Sequence, residues 1–183
     1  MRNGIESIQK RKVFYNLVSS DVNNDRMQVF DNLGVATIYF DDVNQIVLGI
    51  SQDGDYVFVE KNRIYILNNK KKYLYCAKLV EVQFELIEKQ IEDKYNEILT
   101  ANNYNVLELF PFFQIVEFVF CNLINDYWFE LSWRWYHNLN SFDKKQLLKA
   151  LYDIEKNKKI SQKNRQIVKK EIQRVLNCER NDI

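Results

Sequence analysis

Carboxylates are plentiful in this 183-residue chain and leave a carboxylate-pair enzyme open, but no spacing singles out a catalytic pair. The chain has one histidine, His137. Clusters of histidines around a metal are therefore excluded, and any Ser-His-Asp or Cys-His arrangement must run through that one ring. His137 closes an aromatic run, where a histidine ordinarily sits at the surface near a helix C-terminus. The carboxylates of "DD" at 41–42 and "DGD" at 53–55 have the composition of Mg²⁺ ligands. Both fall where hairpin turns are expected, and Asp and Gly favour such turns for backbone reasons alone. No G-x-x-x-x-G-K-[ST], G-x-G-x-x-G, H-E-x-x-H or G-x-S-x-G is present. Four glycines leave little from which to build a phosphate-cradling loop. The cysteines Cys76, Cys121 and Cys178 are odd in number and far apart, which is neither a disulfide framework nor a zinc spacing. They fit a reducing compartment. "MRNGIESIQKRKVF" lacks the apolar core of a secretion signal. The expectation is a cytoplasmic chain with no cofactor, no metal and no catalytic set.

Binding chemistry is better represented. Net charge is +1, but it is unevenly placed. Residues 81–130 hold ten acidic residues against Lys89 and Lys94, whereas residues 141–183 hold twelve basic residues against six acidic ones. Glu81, Glu85, Glu88 and Glu92 recur at helical spacing in "EVQFELIEKQIEDKYNEIL" and form an acidic stripe. Like charges so spaced repel by a few tenths of a kcal/mol per pair. The stripe is either a solvated helix face or a docking surface for a basic partner. A basic counterpart runs through Lys163, Arg165, Lys169, Lys170 and Arg174 on the last helix, preceded by Lys158 and Lys159. "KKK" at 70–72 is a second basic site. Phosphates of nucleic acid are the partner class for such surfaces, although lysines in a last helix also complement its dipole.

The aromatic run "YWFELSWRWY", residues 127–136, resembles a base-stacking platform at first sight. At about 100° per residue, Glu130, Arg134 and His137 share one narrow arc and the rings cover the rest. A strand competes, because Tyr127, Phe129, Leu131, Trp133 and Trp135 alternate with polar residues. Helical context on both sides favours a helix whose rings point inward, with Glu130 and Arg134 paired on the exposed arc. A stacking platform needs exposed rings beside several cations, and Arg134 is alone there.

The elements that must position these residues change type near residue 80. "KRKVFYNLVSS" spaces Val13, Phe14, Leu17 and Val18 as one helix, and "DVNNDRMQVFDNLG" offers a second, from Asp21 to Gly34. "VATIYF", "QIVLGI", "YVFVE", "RIYIL" and "KYLYCAKLV" are β-branched and aromatic, with turn residues between them, and predict a five-strand antiparallel meander. From 81 onward the period is helical, with Phe84, Ile87, Ile91, Tyr95 and Ile98 on one face. Pro111 opens the next helix, "PFFQIVEFVFCNLI", which is apolar nearly all round yet too short to span a membrane. Ser141 and Ser161 have the chemistry of N-caps for two more. The expected fold class is α+β: N-terminal helices and an antiparallel β-meander followed by a C-terminal helical bundle of four or five helices. The halves are 1–80 and 81–183.

The helical half, "IVEFVFCNLINDYWFELSWRWYHNL" followed by "SQKNRQIVKKEIQRVL", resembles small bacterial immunity proteins that accompany contact-dependent growth inhibition and other polymorphic toxins. The resemblance covers residues 113–176. It rests on texture: aromatic-rich, lysine-rich, without a catalytic set. It implies a protein that binds one cognate toxin and blocks its active site. Many such toxins are basic nucleases, which the Glu81–Glu92 stripe would suit. No family motif is available to carry binding residues across. The leading expectation is therefore a non-enzymatic, toxin-neutralising binding protein with partner residues Glu81, Glu85, Glu88 and Glu92. The alternative is a nucleic-acid-binding protein that uses the basic C-terminal helix.

Overall fold

The computed structural model describes residues 2–20, 35–41, 46–60 and 63–181, with side chains for 7–19, 35–39, 46–60 and 63–177. The expected helix over 21–34 and Asp42 lie outside the described residues. The chain is α+β and forms two compact units. One comprises Met1–Cys76 and Glu85–Pro111; the other comprises Ala77–Phe84 and Phe112–Ile183. The chain therefore changes units three times, rather than once near residue 80.

In the first unit, helix α1 (Arg2–Ser20) buries Phe14 and Val18, as the spacing predicts, but leaves Val13 exposed. Arg11 lies on the same buried face. Its Nε donates to the Gly54 carbonyl at 2.6 Å and its guanidinium stands 4.3 Å from the Tyr56 ring centre. Strands β1 (Val35–Asp41), β2 (Ile46–Ser51), β3 (Tyr56–Glu60) and β4 (Arg63–Ile66) form one antiparallel sheet in sequence order. Residues of β2 and β3 are buried in succession rather than alternately, so both faces of the sheet are covered there. Gly49 is required at a close approach: a Cβ would fall 2.4 Å from Val35 Cγ1 and 2.7 Å from the Ala36 carbonyl oxygen. "DGD" at 53–55 is the β2–β3 turn, with Gly54 at φ +79° and its N–H donating to the Ser51 carbonyl.

The expected fifth strand, "KYLYCAKLV", is instead a 3₁₀ helix, Lys70–Glu81. Its apolar residues follow a period of three. Tyr73, Cys76 and Leu79 are buried, while Leu74 and Tyr75 are 54% and 39% exposed. A strand would have put Tyr73 and Tyr75 on the same side.

Helix α2 (Phe84–Asn102) starts three residues later than expected, and Glu81 consequently belongs to the 3₁₀ helix. Ile87, Ile91 and Tyr95 are buried. Tyr95 departs from helical geometry at φ −124°, ψ 15°, and its hydroxyl donates to the Thr37 carbonyl. Beyond this break Leu99 is the buried residue rather than Ile98. The helix ends on Asn103 at φ +51°. The Tyr104 N–H donates to the Leu99 carbonyl and the Asn103 N–H to the Thr100 carbonyl, a Schellman closure with asparagine in the left-handed position. Asn105 and Glu108 then form a capping box on the short helix α3 (Val106–Leu109).

The second unit holds α4 (Phe112–Asn122), α5 (Asp126–Asn138), α6 (Ser141–Gln146), α7 (Leu148–Lys156) and α8 (Gln162–Asn181). Pro111 precedes α4, which buries Phe112, Ile115, Val116, Phe118, Val119 and Phe120. "FDKKQLLKALYDIEK", expected as one helix, divides at Leu147 into α6 and α7. Asn140 rather than Ser141 caps α6, whereas Ser161 caps α8 through the Asn164 N–H. No helix among the described residues is long and apolar enough to cross a membrane.

Candidate functional site

Residues 127–136 lie on a helix, and its polar groups are committed within the second unit. Phe129, Ser132, Trp135 and Tyr136 are buried. Trp135 Nε1 donates to the Val82 carbonyl at 3.0 Å, and its ring meets Phe84 and Phe112 edge-on. Trp133 is half-buried, stacked on Tyr136 at 4.8 Å and 9°. The expected Glu130–Arg134 pair does not form; Glu130 accepts from Asn164 Nδ2. Asp126 accepts from the Ser161 N–H and from Asn164. Those bonds, the Ser161 amide foremost, hold its carboxyl below the usual range. Tyr127 is exposed, its hydroxyl on Glu81, while Phe129, Trp135 and Tyr136 are spent on packing.

His137 lies at the end of α5, its ring edge against Trp133. Burial lowers its pKa, with Lys144 and Arg174 adding to this and Glu171 opposing it. Among the described residues its ring makes no hydrogen bond to a serine, cysteine or carboxylate. Beside it, Glu171 is buried, accepting from the Tyr136 hydroxyl at 3.0 Å and from two nitrogens of Arg174. Burial alone would raise the Glu171 pKa, but those hydrogen bonds outweigh it and hold the carboxyl low. Burial and the Glu171 charge raise Tyr136. Among the described residues no group of three His, Cys, Asp or Glu side chains is arranged to hold a metal ion.

A concavity suited to binding lies elsewhere, in the first unit. It is an open groove of about 870 Å³ between the outer face of α2 and the turn that follows it. Glu88, Glu92, Asp93, Asn96 and Thr100 of α2 line it together with Asn103, Tyr104 and Asn105 of the turn. Helical spacing puts Glu88, Glu92 and Asn96 in register. The left-handed turn at Asn103 folds the following loop back along them. The groove's lining contains no lysine, arginine, histidine or cysteine. Among the described residues no cation forms an ion pair with Glu88 or Glu92. Lys94, close in sequence, directs its ammonium to the Thr37 carbonyl at 3.2 Å and over the Tyr95 ring. Burial raises the Glu88 pKa, and Glu92 and Glu85 raise it further.

The structure thus places two of the four sequence-predicted stripe residues, Glu88 and Glu92, in this groove. Glu85 is exposed on the same helix. Glu81, in the 3₁₀ helix, accepts from the Tyr127 hydroxyl at 2.6 Å. Asp93, Asn96, Asn103 and Asn105 were not among the predicted residues. The available signal was "TANNYNV", three asparagines at a helix end, which reads as termination rather than as the second wall of a groove.

The expected basic surface on α8 is thinner than its sequence suggests. Lys158, Lys159, Lys163, Lys169 and Lys170 are exposed, but Arg165 is half-buried and Arg174 is tied to Glu171 at 2.7 Å.

Chemically, the groove is a cation-attracting surface with neutral amide and hydroxyl groups on its opposite wall. Compared with known protein families, with curated proteins and with solved structures, the chain matches none.

Proposed function

We propose that this chain is a non-enzymatic binding protein that docks a basic protein partner in the α2 groove. The most concrete form of this reading is an immunity protein that blocks the active site of a cognate toxin. The observation that carries it is the juxtaposition of Glu88, Glu92 and Asp93 in one open groove without an internal cation. Mutual repulsion in such a cluster is relieved when a partner's lysine or arginine enters. Association would be accelerated by charge and slowed by salt. The amides of Asn96 and Asn103 suit backbone and side-chain hydrogen bonds with an extended segment or a loop of the partner.

The test is a side-by-side affinity purification of the wild type and the Glu88→Lys/Glu92→Lys variant from the native host. A stoichiometric basic partner held by the wild type and lost by the variant supports the reading. The same partner held equally by both would overturn it.

A further inference from the structure

A second surface of the first unit has the chemistry for a different ligand. From residue 63 to residue 76 the sequence holds four basic residues and no acidic one. Within it, Tyr65 of β4 and Tyr75 of the 3₁₀ helix stack with ring centres 4.0 Å apart and planes 24° from parallel. Phe58, fully buried on β3, lies behind both rings at 6.1 and 6.3 Å. The register pairs Phe58 with Tyr65 across the strands, which fixes the Tyr65 ring on a rigid base. Tyr75 remains 39% exposed.

Cations flank this pair. Arg63 is two residues before Tyr65 on the same face of β4, opposite Glu60 in the register, but the two make no ion pair. Lys72 precedes Tyr75 by three residues, so the two side chains are eclipsed on the 3₁₀ helix. Lys71 is exposed on the adjoining line, ahead of Leu74. Asn69 caps the start of this helix through the Lys72 N–H, which positions the lysines.

We propose that the Tyr65–Tyr75 stack, with Arg63, Lys71 and Lys72, is a binding site for single-stranded nucleic acid. A base would continue the stack on the open face of Tyr75, and the three cations would follow the adjoining phosphates. Stacking of this kind tolerates any base, so the site selects single strands over duplexes rather than one sequence over another. It is separate from the acidic groove and from the α8 lysines. An anionic membrane is the competing partner for a lysine-rich surface. Ile64 and Ile66, the exposed aliphatic residues of β4, lie on the sheet face opposite Tyr65, whereas Leu74 is exposed next to Tyr75, so vesicles are tested beside the oligonucleotide.

The experiment is fluorescence anisotropy of a labelled oligo-dT of about twelve nucleotides titrated with the full chain over a range of salt. The expected result is binding with a log–log salt slope of about −2 for three phosphate contacts. Tyr75→Ala should weaken it about tenfold or more, Tyr75→Phe should leave it near wild type, and Lys71→Glu/Lys72→Glu should weaken it and flatten the slope. If Tyr75→Ala does not fold, the lysine variant alone decides. Absence of binding by the wild type overturns the proposal, as does unchanged binding by the lysine variant. Loss that follows Lys169→Glu/Lys170→Glu instead overturns it as well. Binding to phosphatidylserine vesicles without binding to the oligonucleotide would assign the surface to membranes.

Discussion

Helices α2 and α5 differ in how their most prominent side chains are answered. Each carries a run of strongly interacting side chains, acidic on one and aromatic on the other. On α5 the strong groups are answered inside the unit: Trp135 by Val82, Tyr136 by Glu171, Asp126 by Ser161, Glu130 by Asn164. On α2 Glu88 and Glu92 face an open groove, and no cation among the described residues answers them. A satisfied cluster is accounted for by stability. A cluster that raises its own energy in the free protein points to something outside the molecule.

That contrast can be broken first on α5. Trp135→Ala should destabilise the chain by about 3–5 kcal/mol, because it removes a ring that is 1% exposed and leaves the Val82 carbonyl without its donor. Denaturant unfolding followed by helical circular dichroism measures this. A cost below about 1 kcal/mol would mean that the aromatic helix is not the core element described here.

The Tyr136–Glu171–Arg174 cluster gives the next largest effect. Glu171→Ala should cost about 2 kcal/mol, since it strands the Tyr136 hydroxyl and one end of Arg174. The native pKa of Glu171 lies below its ordinary value. Its stabilising contribution is therefore complete above the ordinary glutamate range and is lost as pH falls through the native pKa. Glu171→Gln should flatten the acid limb of a melting-temperature profile between about pH 5 and pH 3. An unchanged acid limb would show that the cluster is not held as described.

On α2 the expected sign reverses. Glu88 has a raised pKa, so its ionised form is disfavoured by the fold and its contribution declines as pH rises through the carboxylate range. Glu88→Gln should stabilise the free protein at neutral pH by about 0.3 kcal/mol while weakening partner binding. A variant that is less stable at pH 7 than the wild type would place Glu88 among structural residues and erase the contrast with α5.

How much of this was legible in the sequence differs between the same two regions. The α5 helix, its inward rings, the Pro111 boundary and the Ser161 cap follow from local spacing, and the four strands follow from β-branched runs between turn residues. The 3₁₀ helix was hidden because Tyr, Leu, Cys and Val in "KYLYCAKLV" favour strands by residue type, while their burial follows a period of three that the pairing of strands did not require. That element also displaced the start of α2 and removed Glu81 from the stripe. The acidic wall of the groove is a single-helix pattern and could be read. Its opposite wall depends on a left-handed turn at Asn103 and on a loop folding back. Neither leaves a periodic trace. Buried partners such as Asn164 for Glu130 and Glu171 for Tyr136 lie 34 and 35 residues apart and are set by helix packing alone.

The most direct measurement uses the Glu88→Gln/Glu92→Gln variant, whose side chains keep their size and lose only their charge. Melting temperature and quantitative recovery of a basic partner from the native host are read on the variant and the wild type together. The account predicts an equal or higher melting temperature with at least about tenfold less partner, an effect on the order of 1.4 kcal/mol or more in binding. A variant that recovers the same partner in the same amount would contradict it.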